Sequence, residues 1–217
     1  MCGDCNCSEE ELGWCGCECD EWLEIAIDKI AVDFELPAYN PIKDDETTVR
    51  LSDYNSKWAV LFFYPADFTF VCPTELKDMA DAKKEFDELG VNVLAVSTDT
   101  QFSHRAWVKH ELLMKDFPYL MLADHNLEVS DVYWVLDSHT WIAARGTFII
   151  DPDGIVRWIE ITSWPLGRNS EELLRKIRAL QFMRANPGTA CPAKWAIWAK
   201  TLKPSIKIAW EVAEALK

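Results

Sequence analysis

No run of about 18 apolar residues occurs anywhere in the 217-residue chain, which excludes an ordinary membrane-spanning helix. Glycine is scarce, with 8 residues and none between Gly90 and Gly146, and no glycine-rich phosphate loop, internal repeat or low-complexity linker is present. Residues 1–28 contain no lysine or arginine, so the basic-then-apolar order of a secretory signal is missing and the expected location is cytoplasmic. A formal charge of −14 argues against a nucleic-acid partner, whose phosphates would be repelled. Basic residues being absent from the N-terminal stretch, much of that charge arises there.

A hydrophobic content of 49% over this length suffices for one sizeable core. The expected organisation is an N-terminal extension at 1–28, one domain at 29–185 and a C-terminal arm at 186–217. Strands are predicted at 58–64, 91–97 and near 120–123. They alternate with helices at 73–89, 102–114 and 127–134. A hairpin of strands 147–151 and 155–162 follows, turning at Asp151-Pro152-Asp153-Gly154, and then a helix over 169–185 with Ser170 as its cap. This order predicts an α/β/α sandwich of the thioredoxin type. Trp195, Trp198 and Trp210 are expected to anchor the arm, whose last half is patterned as helix.

Two of the eight cysteines stand apart from the rest, Cys72 and Cys191. The apolar run 58–64 reads as a strand buried on both faces, ended by Pro65. Cys72 then falls at the N-cap of the helix over 73–89, with Pro73 at its first position. Unpaired N–H groups and the positive end of the helix dipole favour a thiolate there, and the thiolate is the nucleophilic form. An isolated cysteine is otherwise a buried, inert thiol. Thr69, three residues upstream, brings a hydroxyl that can bind a small oxygen substrate, and Pro65 can shield the sulfur from water. His104, His110, His125 and His139 are expected to be structural or exposed, since a thiolate already formed needs no imidazole base.

With these residues in place the chain resembles the typical two-cysteine peroxiredoxins, of the alkyl hydroperoxide reductase C type. The family's P-x-x-x-T-x-x-C signature is met by Pro65, Thr69 and Cys72, and continues as Pro73, Thr74 and Glu75. Segments 95–107, 144–157, 167–181 and 191–195 are also similar, in family order, so the resemblance spans residues 30–217. It implies a thioredoxin fold with peroxiredoxin insertions and a C-terminal helical arm, and a thiol-dependent peroxidase that needs no cofactor. By the same resemblance, Cys72 attacks peroxide and becomes a sulfenic acid, Thr69 and Arg145 hold the peroxide oxygens, and Glu75 and Arg168 hold the arginine. Cys191 of a partner subunit then closes an intersubunit disulfide, for which the start of the Cys72 helix must unwind. The implied partners are peroxides, an electron donor (thioredoxin, a flavoprotein disulfide reductase or a glutaredoxin-like protein) and further copies of the chain. Those copies would pair through strand 155–162 and form a ring of five dimers, with Trp107 near a subunit contact.

The N-terminal extension departs from the family. It carries Cys2, Cys5, Cys7, Cys15, Cys17 and Cys19 among nine acidic residues. Such spacing suits a soft cation such as zinc or copper(I), internal disulfides or a redox relay, or a reduced tail. A chaperone-like ring with a metal-binding or stress-sensing N-terminal module is the alternative to the enzyme.

Overall fold

A computed structural model describes residues 25–216. Seven strands form one mixed sheet in the order β2-β1-β5-β4-β3-β6-β7. They are β1 (Glu35–Asn40), β2 (Asp45–Arg50), β3 (Trp58–Phe63), β4 (Val91–Ser97), β5 (Leu120–Ala123), β6 (Arg145–Ile150) and β7 (Val156–Thr162). β3, β4 and β5 run parallel, while β1 with β2 and with β5, β3 with β6, and β6 with β7 are antiparallel. The helices are α1 (Cys72–Asp81), α2 (Lys83–Glu88), α3 (Gln101–His110), α4 (Glu128–Val132), α5 (Ser170–Ala185) and α6 (Val212–Ala215). This is the thioredoxin-type sandwich expected from the alternation of elements.

The central strand shows why the sheet is covered on both faces. Every residue of β3 is buried, and strand periodicity divides them. Val60 and Phe62 join Leu76, Met79, Phe86, Leu173 and Ile177 of α1, α2 and α5 in one core. Ala59, Leu61 and Phe63 join Leu94, Leu122, Val129 and Phe148 in the other. Each such large apolar side chain contributes about 1.5–3 kcal/mol by leaving water, so a shift of one residue in β3 would carry both sets to the wrong face.

Several expectations are corrected. The apolar stripe predicted one helix over 73–89; it is divided at Ala82, whose ψ of 8° leaves the helical range, and each piece buries its own apolar residues, Met79 and Phe86. Gly90, with φ of 65°, ends the second piece as expected, a conformation that other residues adopt at a cost. Cys72 is the first helical residue rather than the cap, which is Val71; the Thr74 hydroxyl donates back to the Val71 carbonyl at 2.6 Å. On α5 the cap is Asn169, not Ser170: the Asn169 amide oxygen accepts from the Glu171 N–H at 2.7 Å. α3 stops at His110, and a 3-10 turn at Leu112–Met114 follows.

Of the tryptophans expected to anchor the arm, only Trp195 does so. It is 2% exposed and its ring centroid lies 4.9 Å from that of Phe182, whereas Trp198 and Trp210 are over 90% exposed. Trp107 lies inside the protomer's core against Tyr64, so the exposed aromatic beside it is Phe68. No helix among the described residues is long and apolar enough to cross a membrane.

Candidate active site

The reactive loop connects β3 to α1 and is pinned from below by a polar network. Tyr64, one residue past β3, donates its hydroxyl to Asp67 Oδ1 at 2.9 Å. His104 Nδ1 lies 2.9 Å from Asp67 Oδ2, and its Nε2 lies 3.2 Å from the Leu122 carbonyl, all buried. The Asp67 N–H donates to Asp99 Oδ2 at 2.8 Å, and the Ser97 hydroxyl holds that same oxygen at 2.9 Å. Burial pushes the Asp99 carboxyl above its ordinary value, with the Asp67 charge adding to the effect. The loop that positions Cys72 thus takes its shape from groups just past β3, on α3 and at the end of β4. Its strain shows at Phe68, which holds a φ of 54° with its side chain outward.

Pro65 is buried and Thr69 half-buried. The Thr69 hydroxyl donates to the Ala66 carbonyl at 2.8 Å. Its proton is therefore committed, and what it offers a substrate is an acceptor lone pair.

Cys72 is fully buried, and Arg145 Nη1 donates toward its Sγ at 3.5 Å. Arg145 opens β6, 73 residues away in sequence, and is 1% exposed. Three contacts fix it: the sulfur, Glu75 Oε2 through a short ion pair, and the Trp164 carbonyl, which accepts from Nε at 2.6 Å. Glu75 is one turn beyond Cys72 and is 2% exposed. Its other oxygen accepts from the Arg168 N–H at 2.9 Å and from Arg168 Nε at 2.8 Å. Arg168 continues to the Gly146 carbonyl at 2.9 Å and stacks 3.5 Å above the centroid of the Phe62 ring. Burial pulls the Arg168 guanidinium down from its ordinary value, and Glu75 opposes that pull.

The charge balance of this buried group is informative. One carboxylate neutralises one of two guanidinium ions, and a thiolate at Cys72 would neutralise the other. The site is built to hold one further negative charge where the sulfur lies.

The backbone around it allows little change. A Cβ on Gly146 would sit 2.6 Å from Val135 Cγ1, so glycine is needed there for close packing, beside Arg145.

Cys191 lies elsewhere, in the segment after α5, half-buried against Trp158, Leu180 and Met183. Both cysteines are free thiols. Burial pushes the Cys191 thiol up from its ordinary value, and nearby Arg175 opposes the shift.

The structure brings Cys72, Arg145, Glu75 and Arg168 into one bonded cluster, with Pro65 and Thr69 on the adjoining loop. Sequence reasoning missed the Trp164 carbonyl, for which a backbone group gives no signal, and the Asp67–His104 pair. His104 was expected to be structural or exposed, and the buried bond to Asp67 makes it structural. Among the described residues no three His, Cys, Asp or Glu side chains converge as a metal site. Cys2, Cys5, Cys7, Cys15, Cys17 and Cys19 lie outside the described residues.

Comparison with known proteins gives the family of the chain. Residues 27–159 match the model of the AhpC/TSA family. Alkyl hydroperoxide reductase C of Staphylococcus aureus is 45% identical over 186 residues, covering 86% of this chain and 98% of the relative. The reduced 2-Cys peroxiredoxin of Plasmodium vivax superposes with a TM-score of 0.82 at 31% identity, over 86% of this chain and 98% of its own. AhpC of Enterococcus faecalis superposes with a TM-score of 0.73 at 40% identity, over 76% of this chain and 98% of its own. A buried cysteine opening a helix under an arginine held by a carboxylate, on this sheet and with these matches, places the chain in the AhpC/TSA family of peroxiredoxins.

Proposed function

We propose that this chain is a thiol-dependent peroxidase that reduces hydrogen peroxide and organic hydroperoxides through Cys72. The observation that carries the reading is the Cys72 sulfur under the guanidinium of Arg145. The thiolate attacks one peroxide oxygen in line; an S–O bond forms, the O–O bond breaks, and hydroxide or alkoxide leaves and takes a proton. Arg145 and the helix N-terminus face the oxygens as they gain charge, which is the usual main source of acceleration. Thr69 accepts from the peroxide O–H. Pro65 keeps bulk water from the sulfur. Peroxiredoxin chemistry of this kind is carried by side chains alone.

The Cys72 sulfenic acid is then resolved by Cys191 of a partner subunit, with loss of water and formation of a disulfide. Cys72 is fully buried, so its sulfur meets another chain only if the first turn of α1 opens. The dimer would use β7, the last strand of the sheet. Assembly into a ring of dimers is favoured by the exposed Phe68, Phe70 and Phe102. An external dithiol donor, cytoplasmic with the enzyme, closes the cycle. The scaffold alternative has no comparable support.

The first test is peroxide consumption with a dithiol donor present. Cys72→Ser is expected to abolish it. Cys191→Ser is expected to keep one stoichiometric reaction but yield no disulfide dimer on a non-reducing gel. Consumption persisting in Cys72→Ser would overturn the assignment.

The resolving step carries its own pH signature. Because burial raises the Cys191 thiol, its reactive anion is the minor form at neutral pH and grows with pH. Disulfide formation, followed by quenched-flow alkylation, is expected to speed up about tenfold between pH 6.5 and 7.5. A flat profile would show that a different step is being observed.

A further inference from the structure

Charge is distributed along this chain in two opposed blocks. Residues 173–210 contain eight basic side chains and no acidic one, in a protein of net charge −14. Lys176 is paired with Glu160, and Arg184 with Asp151 and Asp153. Arg175, Arg178, Lys194, Lys200, Lys203 and Lys207 make no salt bridge among the described residues. Arg175 and Lys194 line the groove that holds Cys191, and Arg178 lines the adjoining apolar groove beside Trp195 and Trp198. The opposite block is the N-terminal stretch, with its six cysteines, nine acidic residues and no basic one over residues 1–28.

The point at which that stretch enters the described chain is also informative. Ile27 and Asp28 line a groove with Arg157, Leu180, Met183 and Arg184, and the Asp28 carboxylate accepts from Arg157 Nη1 at 2.6 Å. Leu180 and Met183 line the Cys191 groove as well. Ile27 and Asp28 thus lie on the flank of α5 whose Leu180 and Met183 also line the Cys191 groove. Cys19 is eight residues before Ile27, a reach of up to about 29 Å at 3.3–3.6 Å per residue.

We propose that residues 1–24 dock on the basic surface around Cys191, and that two of their thiols reduce the Cys72–Cys191 disulfide by thiol–disulfide exchange. The inference rests on the peroxidase reading above and adds to it a reductant carried in the same chain. A tail thiolate attacks Cys191 Sγ, the sulfur that solvent reaches; the disulfide breaks and Cys72 departs as a thiolate, whose charge Arg145 receives. A second tail thiol, losing its proton to water, attacks the tail sulfur of the mixed disulfide and expels Cys191, which takes up a proton. Two thiols become one disulfide as one disulfide becomes two thiols. An external dithiol donor then reduces the tail rather than the buried site.

The test uses the full chain, reduced, treated with chelator and freed of reductant without oxygen, then titrated with hydrogen peroxide. Eight cysteines make four disulfides, so the relay predicts rapid consumption of up to four equivalents per chain, with Cys72 and Cys191 recovered as thiols until the tail is spent. A variant with all six tail cysteines changed to serine consumes one equivalent, at the wild-type initial rate. Arg178→Glu with Lys194→Glu keeps the first equivalent fast and slows the later ones at least tenfold at low salt. Full-length protein that stops at one equivalent would overturn the relay while leaving the peroxidase intact. Equally fast tail oxidation in Cys72→Ser would overturn it as direct oxidation. An unchanged charge variant would overturn the docking. No consumption by wild type would remove the peroxidase reading itself, and the relay with it.

Discussion

Arg145→Met is expected to lower the rate constant for hydrogen peroxide by about 100- to 1,000-fold, the usual cost of removing one donor aimed at a developing oxyanion. Nη1 of Arg145 is the only side-chain donor that the described residues aim at the Cys72 sulfur. The same guanidinium supplies the charge that makes the thiolate tolerable in a fully buried position. The fold should survive, because Glu75 keeps Arg168 as its counter-ion through two contacts below 3 Å. Stopped-flow measurement of the reduced protein, beside thermal denaturation of the same sample, separates the two effects. A rate within threefold of wild type would show that the arginine merely fills space.

Glu75→Gln is expected to act in the opposite way, on stability first. The change is isosteric, but it leaves Arg145 and Arg168 facing each other at 1% and 5% side-chain exposure with no carboxylate between them. Removing one member of a buried ionic group costs about 3–5 kcal/mol, because the remaining charges stay desolvated and unpaired. For a chain of this size that corresponds to a fall of about 10 °C in Tm. Activity should fall as well, since Arg145 would lose the ion pair that aims it and keep only the Trp164 carbonyl and the longer contact to the Cys72 sulfur. Denaturant unfolding reads the outcome directly, and a loss below about 1 kcal/mol would mean that the carboxylate does not hold the two arginines.

The two variants differ in what they leave behind. One removes a cation and leaves a balanced pair; the other removes an anion and leaves two like charges. The sequence resemblance assigned Glu75 and Arg168 to the support of Arg145, but it could not say that the two arginines share the one Glu75 carboxylate. That arrangement depends on residues 70 and 93 positions apart, brought together by the packing of α1 against the start of β6 and the loop before α5.

Local features were legible because local geometry sets them. The run over β3 declares a doubly buried strand, Pro65 ends it, and Gly90 ends the second helical piece with a backbone conformation that suits glycine. The loop from Pro65 to Cys72 could be read for the same reason: a strand end at Phe63, a proline and a helix start at Cys72 lie within ten residues.

What escaped was non-local. β1 and β2 gave no strand prediction, since the outer strand β2 exposes five of its six residues and so carries no burial alternation. Their pairing is supplied by β5, to which β1 is joined antiparallel. Trp107, Trp195 and Trp198 are one residue type with three fates: core, anchor and solvent.

By itself, then, the sequence determined which segments become strands and helices in the catalytic half and which sulfur stands at a helix start. Spacing, chain stiffness and the 2.0 and 3.6 periods act within a turn or two. Only the tertiary structure decided which charge faces that sulfur, which carboxylate the two arginines share, and that Cys191 shares the flank of α5 with the chain's N-terminal entry. Those contacts depend on sheet register and helix packing across many tens of residues, where no local period reaches.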